Sequence, residues 1–100
     1  MSPRIRTLSL ATEELAEAVR WYESRRPGLG ANLLDEVDRA VRQVATNATV
    51  GAALSSDQKT RRILLSRFPY QVVYRIRPSE IVVIALAHSR RRPGYWLTRT

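Results

Sequence analysis

The chain has 100 residues, 44% of them hydrophobic, and carries 17 basic and 9 acidic side chains for a formal net charge of +8. That length suits a single α+β-sized domain, residues 1–100, with a modest core. The absence of cysteine and the single histidine exclude disulfides and thiolate sites and argue against a zinc or iron centre, so neither metal nor cofactor is expected.

The longest apolar run, Ile81 to Ala87, is far too short to span a bilayer. The first residues lack the apolar stretch of a secretory signal. A soluble cytoplasmic protein without membrane association is the expectation. The charge is unevenly placed. Residues 1–58 hold seven basic and eight acidic side chains, and residues 59–100 hold ten basic and one acidic. Such a one-sided segment favours an acidic or polyanionic partner over a merely solvated surface. Sixteen of the basic residues are arginine, whose planar fork suits phosphate and carboxylate, although a GC-rich genome gives the same bias.

Arg4 to Leu10 alternates polar and apolar residues, the period of a half-buried strand. Thr12 reads as the N-cap of a helix, with Glu13 and Glu14 in its first turn, where the dipole favours negative charge. Leu15, Ala18, Val19 and Tyr22 form its apolar stripe. Pro27-Gly28 ends it. In a second helix, Leu33 or Leu34, Val37, Ala40 or Val41, and Val44 step along one face. So short a link makes the two helices antiparallel. Thr46 to Gln58, poor in large apolar residues, reads as a loop.

Three strands follow, Arg61–Phe68, Gln71–Arg77 and Ile81–Ala87, separated by Pro69-Tyr70 and Pro78-Ser79-Glu80. Connections this tight give an antiparallel meander. Val72, Tyr74 and Ile76 share one face of the middle strand, and Gln71, Val73, Arg75 and Arg77 share the other. The fold class is α+β: an N-terminal strand joining the sheet, an antiparallel helical hairpin, and a three-stranded meander. The hairpin is expected to cover one sheet face and the other to be basic and open.

Arginines interleaved with aromatics suit phosphate contact and base stacking. Arg75 and Arg77 on the sheet, with Arg90, Arg91 and Arg92 beyond its last strand, are candidates for binding a target. Tyr95 and Trp96 follow them, Trp96 and Tyr74 being read as core. Cutting RNA requires a base, an acid and cations on the phosphate. Histidine is the side chain that ordinarily changes charge near neutrality, and His88 is the only copy. Tyr95 could donate a proton, and Arg91 or Arg67 could hold the phosphate. A lone histidine ending a strand is as readily a structural residue. Ser89 beside His88 is no hydrolase dyad, and Pro27-Gly28-Leu29-Gly30 follows a helix, the wrong setting for a phosphate loop.

Taken in order, Trp21-Tyr22-Glu23, Pro27-Gly28-Leu29-Gly30, Arg61-Arg62, Arg67-Phe68-Pro69-Tyr70 with Val72 and Tyr74, and then His88, Arg91, Pro93, Tyr95 and Trp96 resemble the RelE/ParE toxin superfamily of type II toxin–antitoxin systems. The likeness runs over residues 4–99, and the stretches 21–30 and 88–96 look nearer its ParE-like branch. It implies a growth-inhibiting toxin held inactive in a hetero-oligomer by a cognate antitoxin with an acidic, partly disordered segment. For a ParE-like member it implies inhibition of DNA gyrase. For a RelE-like member it implies ribosome-dependent mRNA cleavage, with His88, Arg91 and Tyr95 as the catalytic group. Arg62 and Arg67 join the arginines above as candidate target contacts. A non-toxic nucleic-acid-binding module and an inactive relic are the other readings.

Overall fold

The computed structural model describes residues 3–99. Strand β1 (Arg4–Thr7) leads into helices α1 (Ser9–Arg25) and α2 (Leu29–Thr46). A two-residue strand β2 (Ala52–Ala53) precedes β3 (Thr60–Leu64), β4 (Tyr70–Ile76) and β5 (Glu80–His88), and a 3₁₀ turn spans Leu97–Arg99. The strands form one sheet in the order β1-β5-β4-β3-β2, with β1 parallel to β5 and every other pair antiparallel.

The helical hairpin covers one face. Leu33, Val37 and Val44 from α2 and Ala11 and Ala18 from α1 pack with Val72, Tyr74, Ile81, Val83 and Leu86 of the sheet. On the opposite face Val73, Val82, Ile84, Ala85 and Ala87 form a second apolar cluster closed by Trp96. Trp96 is 5% exposed and Tyr74 wholly buried, as expected for core residues. β5 is thus covered on both sides, so its sequence is a continuous apolar run and not an alternation. The expectation of an open basic face is corrected here: the chain's own C-terminal segment covers its centre.

Several boundaries also differ from the sequence reading. Helix α1 starts at Ser9, not after Thr12, and its N-cap is Leu8 in extended conformation with no side-chain cap. The Leu8 N–H donates to the Val83 carbonyl at 3.0 Å, and its side chain packs in the second cluster. Tertiary anchoring of Leu8 therefore sets the turn into the helix and overrides local capping preference. β3 stops at Leu64, not Phe68, because Ser66 and Arg67 turn to bind the Glu36 carboxylate on α2. The predicted loop Thr46–Gln58 contains β2, which pairs with Arg61 and Arg62.

The link between the helices depends on Glu23. Its carboxylate accepts the backbone N–H of Gly28 at 3.0 Å and of Gly30 at 3.0 Å, satisfying donors at the α2 N-terminus that its own N-cap, Gly28, leaves open. Gly28 has φ +94°, a conformation side chains rarely adopt, and a Cβ on Gly30 would lie 2.8 Å from the Val19 carbonyl oxygen.

Candidate functional site

β1 pairs with β5 from Glu80 to Val83, so among the described residues the remainder of β5 has no strand on that side. The chain folds back there. The Ser89 N–H donates to the Pro69 carbonyl at 2.7 Å and the Arg91 N–H to the His88 carbonyl at 3.0 Å. Glu14 of α1 faces this edge. Its carboxylate accepts the Leu86 N–H at 3.1 Å, the Tyr95 hydroxyl at 2.6 Å and the Arg99 guanidinium at 2.9 Å.

A pocket of about 290 Å³ lies between α1 and the end of β5. His88, Arg91 and Tyr95 all line it, so the structure brings the three candidate catalytic residues together. Glu14, Glu17 and Trp21 of α1 share the same walls. The Arg91 guanidinium sits 4.2 Å from the centre of the Tyr95 ring. His88 Nδ1 accepts the Arg90 N–H at 3.1 Å, and its ring meets Tyr70 edge-on with centroids 5.0 Å apart.

These contacts limit the chemistry. Burial, and then the hydrogen bond and charge of Glu14, push the Tyr95 phenol up to about 12 against opposition from Arg91 and Arg99. Its proton is committed to Glu14, so Tyr95 is poorly suited to exchange a proton near neutral pH. The backbone hydrogen bond leaves Nε2 as the available nitrogen of His88. Two carboxylates on the pocket wall oppose a phosphate group, where an RNA-cutting centre needs converging cations.

The other candidate arginines are dispersed. Arg62 donates to the Gln71 side chain at 3.2 Å. Arg67 pairs with buried Glu36 at 3.1 Å, and Arg75 pairs with Asp57 at 2.9 Å while also donating to Thr60. Among the described residues, Arg77, Arg90, Arg91 and Arg92 have no ion-pair partner, and all four are exposed. The register places Arg77 beside the start of β5 and Arg90–Arg92 beyond its end, so a nine-residue strand, about 27 Å long, separates them. Arg77 and the Arg90–Arg92 turn therefore form two cationic areas and not one surface.

The family described as "ParE toxin of type II toxin-antitoxin system, parDE" matches residues 5–93, nearly the whole chain. The chain belongs to the ParE toxin family. No curated protein is significantly similar to it in sequence. Among solved structures, a chain of the "Chromosomal ParDE TA system from P. aeruginosa" superposes with a TM-score of 0.73 at 18% identity, covering 87% of this chain and 96% of that one. At that identity the likeness concerns the fold, which it supports over both chains.

In this ParE-family chain the sequence reading missed Glu14, Glu17, Trp21 and Arg99 as parts of the site. A signal for three of them exists. Glu14, Glu17 and Trp21 are spaced i, i+3, i+7 on α1, one stripe along from the apolar residues that define its buried face. Nothing local points to Arg99, because its partner is 85 residues away.

Proposed function

We propose that this chain is the toxin of a type II toxin–antitoxin module, arresting growth by binding a cellular target and neutralised by a cognate antitoxin. DNA gyrase is the target that fits its place in the ParE family. The setting is cytoplasmic, the working unit is the single domain formed by residues 1–100, and the neutralised form is a hetero-oligomer with the antitoxin. The observation that carries a binding mode over a nuclease mode is the Glu14–Tyr95 hydrogen bond, 2.6 Å long, inside a pocket also lined by Glu17. It commits the proton of the candidate acid, Tyr95, to Glu14, and a second carboxylate, Glu17, lies on the same wall.

The convergence of His88, Arg91 and Tyr95 on one pocket favours a second reading, a RelE-like ribosome-dependent endonuclease. Growth arrest on induction of the gene alone, with rescue by the neighbouring gene, tests the module. A supercoiling assay beside a ribosome-dependent mRNA cleavage assay separates the targets. Under the lead reading, His88→Ala leaves toxicity intact and cleavage is absent. Loss of toxicity in a folded His88→Ala variant, together with mRNA cleavage by the wild type, would replace it with the nuclease. Normal growth with abundant folded protein would leave a nucleic-acid-binding module or a relic.

A further inference from the structure

Half of the residues lining the pocket at the end of β5 carry rings: Trp21, Tyr22, Tyr70, Tyr95 and His88. Aromatic faces attract cations, and guanidinium groups most often. Three such contacts on rings of this pocket already exist inside the chain, Arg91 over Tyr95 at 4.2 Å, Arg99 over Tyr95 at 5.0 Å and Arg25 over Trp21 at 4.4 Å. The carboxylates on the same wall differ. Glu14 is saturated by Leu86, Tyr95 and Arg99. Glu17 is exposed and, among the described residues, has no ion-pair partner. The Tyr70 phenol on the same wall is raised above its usual range by burial and then by the charges of Tyr22, Glu17 and Glu14.

We infer that this pocket receives a cationic side chain, an arginine presented by the antitoxin, which stacks on the ring walls and pairs with Glu17. Its volume, about 290 Å³, suits one long side chain better than a drug-sized ligand. Arginine fits better than lysine because the planar guanidinium stacks on rings and is less strongly hydrated. An acidic partner drawn in by Arg90–Arg92 would approach through long-range attraction that sets no register. One arginine of opposite sign to the rest of that partner, entering a carboxylate-bearing pocket, would set it. The identity of the donor as the antitoxin rests on the function proposed above, whereas the chemistry of the pocket does not.

The test titrates N-acetyl-arginine amide into the full chain and follows the indole N–H resonances. Trp21 is 51% exposed and lines the pocket, while Trp96, 5% exposed, serves as the internal control. A saturable shift of Trp21 alone is expected, in the millimolar range. Glu17→Gln should weaken it several-fold, and Arg91→Ala, which removes the resident cation, should strengthen it. No saturable shift, indifference to Glu17→Gln, or a response to inorganic phosphate with none to the arginine probe would overturn the proposal. Glu17→Gln should also lower antitoxin affinity about tenfold in the purified pair, or about 1.4 kcal/mol. Unchanged affinity with probe binding intact would remove the antitoxin as donor. Failure of the toxin to arrest growth would count against the functional reading and leave the probe titration standing.

Discussion

Glu14 and Arg99, 85 residues apart in sequence, together complete the edge of β5 that β1 leaves uncovered. The Glu14 carboxylate accepts the Leu86 N–H at 3.1 Å, the Arg99 guanidinium donates to the Ile84 carbonyl at 3.0 Å, and the two side chains join at 2.9 Å. An unpaired strand edge is a template for unwanted pairing. Here two side chains take the backbone bonds that another strand would have made, and they fasten the C-terminal segment that carries Trp96 over the second cluster.

Arg99→Ala is therefore expected to destabilise the fold. The pair is largely shielded, its side chains 14% and 16% exposed, and removing one partner strands a carboxylate beside an orphaned backbone group. A loss of about 2 kcal/mol is expected, below the range for fully buried pairs. Thermal denaturation should show a fall in Tm of about 10 °C for a domain this size. An unchanged Tm would mean that the C-terminal segment is held by Trp96 alone.

Tyr95 gives a stability change at high pH. Its phenol is raised from 10.0 to about 12, chiefly by burial and the hydrogen bond to Glu14. A group raised on folding stabilises the fold fully below its unfolded value and loses that contribution as pH climbs through the folded one. The contribution should thus be intact up to pH 10 and fade towards pH 12. Tyr95→Phe should flatten the decline in stability across this window, measured by denaturant titration at successive pH values. Identical slopes in wild type and variant would refute the assignment.

The turn after β3 responds at acid pH. Glu36, 7% exposed, accepts the Ser66 N–H and hydroxyl and the Arg67 N–H and guanidinium. Burial is the largest single influence and opposes ionisation, but the bonds from Arg67 and Ser66 together outweigh it and hold the carboxyl below 4.5. A carboxyl lowered on folding stabilises above its unfolded value and ceases to do so as pH falls through its folded one. Glu36→Gln should cost about 2 kcal/mol at neutral pH and abolish part of the acid-induced loss below 4.5. Urea midpoints at neutral and acid pH measure both effects.

The link between the helices offers a further stability test. Glu23 bonds the Gly28 and Gly30 N–H groups from the end of α1, acting as a cap supplied by the preceding helix. Glu23→Ala should cost about 1 kcal/mol, the usual value of a cap. Gly30→Ala should cost more, since the new methyl would lie 2.8 Å from the Val19 carbonyl. If Gly30→Ala proves the milder change, the helices have room to separate and the close approach is not essential.

The layers and element order were legible because apolar periodicity reports which surfaces meet. The stripe through Leu33, Val37 and Val44 and the run Ile81–Ala87 both lie where the pattern requires. What escaped depends on partners distant in sequence. β2 is two alanines with no strand signature of their own, recruited by pairing with Arg61 and Arg62. Thr12 has the chemistry of a cap, but Leu8 is tied to Val83 and starts the helix earlier. At the site, His88, Arg91 and Tyr95 were identifiable from residue type. Their carboxylate neighbours were not, because the stripe Glu14–Glu17–Trp21 gains meaning only when the C-terminal segment lies against it. Charge counting likewise treats Arg67 and Arg75 as equals of Arg92, although the fold pairs the first two.

That division of the arginines separates binding from stability. Arg90 and Arg92 are exposed and, among the described residues, have no ion-pair partner, so their charge remains available to attract an acidic partner. Arg67 and Arg75 have their guanidiniums engaged within the fold. Replacing Arg90 and Arg92 together by glutamine should slow association with the antitoxin about tenfold at low salt, with little change in dissociation, because peripheral charges act on encounter. The difference from wild type should shrink as salt screens the attraction. Arg75→Gln should leave association almost unchanged. Stopped-flow binding at two ionic strengths distinguishes these outcomes. Should Arg75→Gln slow association as much as the double variant, the sheet face and not the turn after β5 would be where the acidic partner first meets the toxin.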